Sequence, residues 1–396
     1  MPFASRVGDC RAAFVVLALA LGPGCHGGGA TPSRASDGPV ALGDFSRFSD
    51  LDWIDAHVHL RSHLRIADYV AYQDRFGMSR MVLLSTPSTV ALLTGERPNF
   101  NAELLLAKAL YPDRFYAFGG PDLTPLASGG EAALGADLER QVNELADAGA
   151  DGIKLWFRST VVEPLEQPPL RFDYLPDNPA LAGLFETAAA RGLPILIHID
   201  EPYTANLFAA LALYPNVTWI VTHLGFSGTD TRRLEAILAA GPRVYLDVGH
   251  YVHSGELLRA GPAARDFLTR HQNRVFQSSD LASGCESWGL TDDTCPSESM
   301  AVSQAWTLRV MLETTQDVTF KSAYTGNDTT VTGLGLPPAT LRALYHDAAL
   351  GLLGGPRRVQ CGPALIHIDR LIAHTTRPDE VARLQTIRTL FRSACR

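Results

Sequence analysis

Residues 193–225 read LPILIHIDEPYTANLFAALALYPNVTWIVTHLG, running from Leu193 to Gly225. Two short β-branched runs, Pro194–Ile199 and Val217–His223, flank a helical stretch at Leu207–Leu213. A strand, a helix and a second strand in that order predict a parallel pair joined by a right-handed crossover. Each run carries a histidine at or beside its end, His198 and His223.

Working outward, the same alternation starts near Leu51. Further strands are expected at Trp53–His57, Arg80–Ser85, Phe115–Gly119, Gly152–Trp156, Val244–Val248 and Arg274–Ser279. Amphipathic stretches such as Ala102–Leu110, Leu138–Ala148, Ala180–Arg191, Thr231–Ala240 and Ala264–His271 separate them. Eight strands alternating with helices close a (β/α)₈ barrel, the TIM-barrel architecture, at about 250 residues plus insertions. An open doubly wound sheet would carry a Gly-rich phosphate turn after its first strand, and none is present.

After the eighth strand the alternation lapses. Leu281–Gly335 reads as an elaborated polar loop, and Thr340–Leu353, ended by Gly354-Gly355-Pro356, as the eighth barrel helix. The tail from Arg357 predicts one more helix, Pro378–Phe391, outside the barrel.

The 396 residues hold 46% hydrophobic and 19% charged side chains, ample for a large core. A net charge of −8 without a Lys/Arg run argues against nucleic acid as a partner. At the N-terminus, Arg6 and Arg11 precede an apolar run, residues 12–21, too short to span a bilayer, then Gly22-Pro23-Gly24-Cys25. That order predicts a secretory signal over residues 1–25. A flexible linker over residues 26–48 and the barrel over residues 49–396 follow. Cys25 sits where a bacterial lipoprotein carries its lipid, although Gly22 and Pro23 depart from the usual wording; an ordinary cleaved signal is the alternative. Export predicts a periplasmic protein or a lipoprotein anchored at the outer membrane, touching the membrane only through Cys25. In that oxidising compartment Cys285 and Cys295, and Cys361 and Cys395, are the nearest pairs for disulfides. Two other connectivities remain open.

The chemistry gathers at the strand ends, where barrels of this kind carry it. His57 and His59 lie two apart in Asp55-Ala-His57-Val-His59, so on a regular strand both imidazoles face one side. Lys154 lies on strand four, His198 and His223 end strands five and six, and Asp280 follows strand eight. Four of twelve histidines at these few positions suit a divalent metal.

This order resembles the amidohydrolase superfamily, and within it the amidohydrolase-related branch of hydrolases, lactonases and non-oxidative decarboxylases. Gly152-Ile-Lys154-Leu-Trp156, the runs ending in His198 and His223-Leu-Gly225, Arg274-Val-Phe-Gln-Ser-Ser-Asp280 and Leu344–Leu353 carry the likeness along with the His-x-His pair. The resemblance implies His57, His59, His198 and Asp280 as metal ligands, Zn²⁺ foremost, with one position open for water. A bound ion lowers the pKa of such a water from 15.7 to about 7. Asp280 and His223 are the implied catalytic residues, one accepting the water's proton, the other polarising the scissile carbonyl or protonating the leaving group. One ion is expected; two become possible if Lys154 is carboxylated and bridges, with His198 and His223 on the second. Trp156, Arg158, Asp200 and Glu201 are candidate substrate contacts, and His250 and His253 are expected to be loop residues.

The implied function is a metal-dependent hydrolase cleaving an amide, lactone or ester in a small molecule. A non-oxidative decarboxylase using the same ligands is the alternative, and a surface lipoprotein that only binds a ligand is the non-enzymatic one.

Overall fold

The structure is a computed structural model describing residues 39–85, 99–123, 131–157, 175–199, 203–282, 285, 289–322 and 324–395. The signal and lipid-site expectations, including Cys25, and the candidates Arg158, Asp200 and Glu201 lie outside these residues.

The eight strands are present, in barrel order and all parallel: β1 (Trp53–His59), β2 (Met78–Leu84), β3 (Phe115–Gly119), β4 (Gly152–Phe157), β5 (Ile195–Ile199), β6 (Trp219–Val221), β7 (Val244–Asp247) and β8 (Val275–Phe276). Between and after them lie α1 (Ile66–Phe76), α2 (Asn101–Leu110), α3 (Glu131–Ala148), α4 (Ala182–Ala190), α5 (Thr204–Leu213), α6 (Thr231–Ala239), α7 (Tyr251–Leu258) and α8 (Pro262–Arg270). Alternation along each strand sends one set of side chains to the helices and the other to the barrel interior. Ile54, Ala56, Val82, Leu84, Tyr116, Phe118, Leu196, Ile220 and Phe276 form that interior, so the barrel is a packed core.

The ring is closed between β8 and β1 by backbone contacts. Val58 bridges to Leu281, and the His59 N–H donates to the Leu281 carbonyl at 2.9 Å. Lower in the seam, the Gln277 N–H donates to the Leu344 carbonyl at 2.9 Å. Leu344 belongs to a wide helical turn, Ala343–Asp347, between α10 (Pro338–Arg342) and α11 (Ala348–Leu353). The expected eighth helix is therefore a bulged one. Its Ala348 and Ala349 join the barrel interior, and Leu350, Leu352 and Leu353 pack against it.

Two sequence expectations need correction. The segment after β8 is not merely a polar loop: it contains a sixteen-residue helix, α9 (Glu298–Glu313), and an antiparallel hairpin, β9 (Asp317–Lys321) with β10 (Asp328–Thr332). The helix precedes α10 in the chain, starts on a Ser297 side-chain cap, and buries Leu308, Val310 and Met311. The tail holds two helices instead of one, residues 361–374 and residues 378–394. The second locks onto α2 through Arg383, whose guanidinium pairs with Glu103 and Glu380; all three are buried.

The cysteines pair as the spacing suggested, Cys285 with Cys295 and Cys361 with Cys395, each at a Cα separation of 6.0 Å. The second bridge ties the start of one tail helix to the end of the other across 34 residues. Closing a loop of that length removes about 3–4 kcal/mol of unfolded-chain entropy. Cys395→Ser is expected to lower the melting temperature by several degrees in a thermal scan. An unchanged melting temperature would show that the Arg383–Glu103 pair holds the tail alone.

Candidate metal centre

Plain alternation on β1 would put Val58 inside the barrel along with Ile54 and Ala56. The β1–β2 register shifts between Asp55 and Val58, and this bulge reverses the parity. Val58 consequently packs outward with the helices, and His57 and His59 turn in. His57 is fully buried, and His59 retains 9% exposure.

Asp280 reaches the same point from β8. Its backbone is left-handed, φ 52°, which is rare for a residue with a Cβ and persists only where neighbours hold it. His57 Nε2 and His59 Nε2 are 3.3 Å apart, and Asp280 Oδ1 lies 3.2 Å from the first and 3.3 Å from the second. Among the described residues these three form the one cluster of three or more His, Cys, Asp or Glu donors close enough to hold a metal.

The protonation pattern tests whether an ion fits. His57 Nδ1–H donates to Asp247 Oδ2 at 2.5 Å, which leaves Nε2 with its lone pair toward the other two donors. Asp280 Oδ1 is buried with no hydrogen-bond partner. Two lone pairs facing each other at 3.2 Å in a buried site repel unless a cation lies between them. Zinc–nitrogen bonds of 2.0–2.1 Å in tetrahedral array give donor separations of about 3.3 Å. The donor set fits a divalent ion in both spacing and charge.

Asp247, at the end of β7, is a residue sequence reasoning missed. Its other oxygen accepts from Gly249 N–H at 2.7 Å and from the Ser278 hydroxyl, so the carboxylate that orients His57 is itself fixed. An acidic residue closing the strand run Val244–Val248 was the available signal. Gly249 is required beside it: φ is +72°, and a Cβ there would lie 2.3 Å from His223 Nδ1. Asp247→Ala is expected to weaken metal retention 10–100-fold, read by dialysis against a competing chelator. Retention equal to wild type would refute the orienting role.

His223 does not end a strand as expected. β6 stops at Val221, and residues 223–226 form a left-handed turn. The turn swings the His223 ring between those of His57 (centroids 5.1 Å), His198 (4.8 Å) and His253 (4.6 Å). His198 stands outside the three-donor triangle, with its Nδ1 3.1 Å from His223 Nε2 and its ring 4.8 Å from Trp156. His250 and His253 stand outside the three-donor group, as expected of non-ligands; His250 ends the loop and caps α7 with its own Nδ1, while His253 lies not in the loop but on the first turn of the helix, against His223 and Phe226.

Electrostatics follow from burial. Desolvation holds His223 well below the usual histidine range, and takes His59 to about 4, His250 to about 4 and His253 to about 3. Burial opposes ionisation of Asp280; positive charge on the imidazoles around it, His57 first, outweighs burial and keeps the carboxyl well below its ordinary value, a role a bound cation would take over where the imidazoles are neutral ligands. Lys154 is 1% exposed, and its ammonium has no hydrogen-bond partner. Burial lowers it to about 8 against the pull of Asp280 and Asp247. It thus sits within reach of the triangle's charge.

Fold and site together define a metal-ready barrel with its chemistry at the carboxyl ends of the strands. The chain belongs to the amidohydrolase family: that family's model matches residues 54–355. No curated protein matches the chain. Similar solved structures include a probable 2-pyrone-4,6-dicarboxylic acid hydrolase from Acinetobacter baumannii (14% identity, 76% of this chain and 99% of that one, TM-score 0.45). A 5-carboxyvanillate decarboxylase from Sphingomonas paucimobilis matches at 12% identity over 78% and 100%, TM-score 0.44. An amidohydrolase from Burkholderia multivorans matches at 14% over 77% and 99%, TM-score 0.45.

Proposed function

We propose that this chain is a metal-dependent hydrolase that cleaves an amide, lactone or ester bond in a small molecule. One observation carries the reading: three donor atoms within 3.3 Å of one another, with the His57 lone pair fixed toward them by Asp247. His57, His59 and Asp280 would hold the ion, Zn²⁺ being our first choice, and His198 is the further donor the family wording implies. When bound, the ion supplies Lewis acidity and lowers the pKa of water.

The side chains do the rest. Asp280, kept as a carboxylate, can accept a proton from the attacking water. His223, neutral and buried, can polarise a carbonyl through an N–H or carry a proton to the leaving group. The Lys154 ammonium offsets the two nearby carboxylates and can receive an anionic group of the substrate. Trp156 offers an aromatic wall beside His198.

We also propose that the protein is exported, with Cys25 as a lipid attachment point. The charged, short apolar and small-residue order of residues 1–25 supports this, as do two disulfide bonds in the folded part. The test of function is metal analysis of the purified protein, then turnover of amide, lactone and ester panels alongside carbon dioxide release from aromatic carboxylic acids. Bound metal with hydrolysis is the expected result. Carbon dioxide release without hydrolysis would make the chain a decarboxylase, and absence of bound metal would sink the reading.

A further inference from the structure

Asp55 has no place in the chemistry above, yet its buried side chain touches both backbone irregularities that create the triangle. On β1, Asp55 Oδ1 accepts from His57 N–H at 3.3 Å, across the bulge that turns His57 and His59 inward. On β8, the same oxygen accepts from Ser279 N–H at 2.9 Å, and Oδ2 accepts from the Ser279 hydroxyl at 2.5 Å. Ser279 Oγ in turn accepts from Leu281 N–H at 3.0 Å. The two residues flanking Asp280 are thus fixed by one hydroxyl, and Asp280 has little freedom to leave its left-handed conformation. Leu281 completes the circuit, its carbonyl accepting from His59 N–H.

We infer that Asp55, acting through Ser279, is the positioning residue for the His57–His59–Asp280 triangle, and that it sets the site's affinity for its ion. The inference rests on the metal-site reading above. Without the clamp, β1 can lose its bulge and Asp280 can relax to an ordinary backbone, which spreads the three donors apart. Neither Asp55 nor Ser279 need touch substrate or ion for this role.

The test compares wild type, Asp55→Asn and Ser279→Ala. In Asp55→Asn an amide NH₂ replaces the oxygen that accepts from the Ser279 hydroxyl, so that hydroxyl proton loses its acceptor and must turn away. Ser279→Ala deletes the hydroxyl altogether. Each protein is stripped of metal and titrated with Zn²⁺ against a chromophoric chelator, the visible spectrum of the Co²⁺ form is recorded, and the metal-free melting temperature is taken in parallel. We expect Zn²⁺ affinity to fall 10–100-fold in both variants, with an altered Co²⁺ spectrum and a metal-free melting temperature within a few degrees of wild type. A folded variant that binds Zn²⁺ as tightly as wild type overturns the inference and leaves the metal site standing. Failure of both variants to fold also overturns it, since the pair would then hold the barrel and not the triangle. A wild-type protein that binds no Zn²⁺ brings down the metal-site reading itself.

Discussion

His57→Ala is expected to abolish stoichiometric metal binding and to reduce turnover at least about 10³-fold, roughly 4 kcal/mol in the barrier. His57 is at once one corner of the triangle and the only described link between it and Asp247. Alanine removes one of three donors and leaves Asp247 and Asp280 as buried carboxylates without the imidazole between them. Of the triangle only one imidazole and one carboxylate would remain, too few to fix a catalytic ion. Metal content by elemental analysis and turnover at saturating substrate are the two readouts. His271→Ala is the control, since that ring pairs with Glu235 on the outer surface. Equal metal content and turnover in His57→Ala and wild type would defeat the proposed function.

The second large effect is a loss of stability in mild acid for the metal-free protein. Five imidazoles are held neutral by burial: His223 well below the usual range, His59, His250 and His367 at about 4, and His253 at about 3, against an ordinary value of 6.5. Each is unprotonated when folded and protonated when unfolded anywhere between those values. The unfolded chain therefore binds more protons in that window, and stability falls as pH falls from about 6.5 toward 4. Asp55 and Asp151 work the other way: burial lifts Asp55 to about 7 and raises Asp151 as well, so each gains a proton in the folded state first. Five imidazoles outweigh two carboxyls, and the net uptake of about three to four protons gives a slope near pH 5 of roughly 4–5 kcal/mol per pH unit. In the presence of a chelator, the melting temperature should drop by about ten degrees or more between pH 6.5 and 4.5. A flat profile across that range would contradict the assignment. His367 separates fold from site, because it lies far along the chain in the tail, beside Asn101 and Glu144. His367→Gln should reduce the slope by about one proton without changing metal content.

The elements were legible because local pattern encodes them. A β-branched run followed by a helical one is written in adjacent residues, and eight such units sufficed to name the barrel. His57, His59 and His198 near their strand ends were legible for the same reason, and so was the nearest pairing of the cysteines. Boundaries shifted where tertiary contacts took over: β6 gives up Thr222 and His223 to a left-handed turn, and β8 shrinks to Val275–Phe276. The helix 298–313 was hidden because its mixed polar surface packs against α7 instead of facing solvent on one clear side.

By itself the sequence determined the architecture and the residue types that could meet at one end of it. Tertiary structure alone decided how they meet. A side-chain period of two would have turned Val58 inward with Ile54 and Ala56; the β1 bulge, backed by Asp55 and Ser279 from 224 residues away, turned His57 and His59 inward instead. Asp247 acquired its role from a ring 190 residues distant, and His253 its place from the ring of His223, 30 residues before it in the chain. Periodicity is a property of neighbours in the chain, whereas a donor set within 3.3 Å is a property of strands closed into a ring.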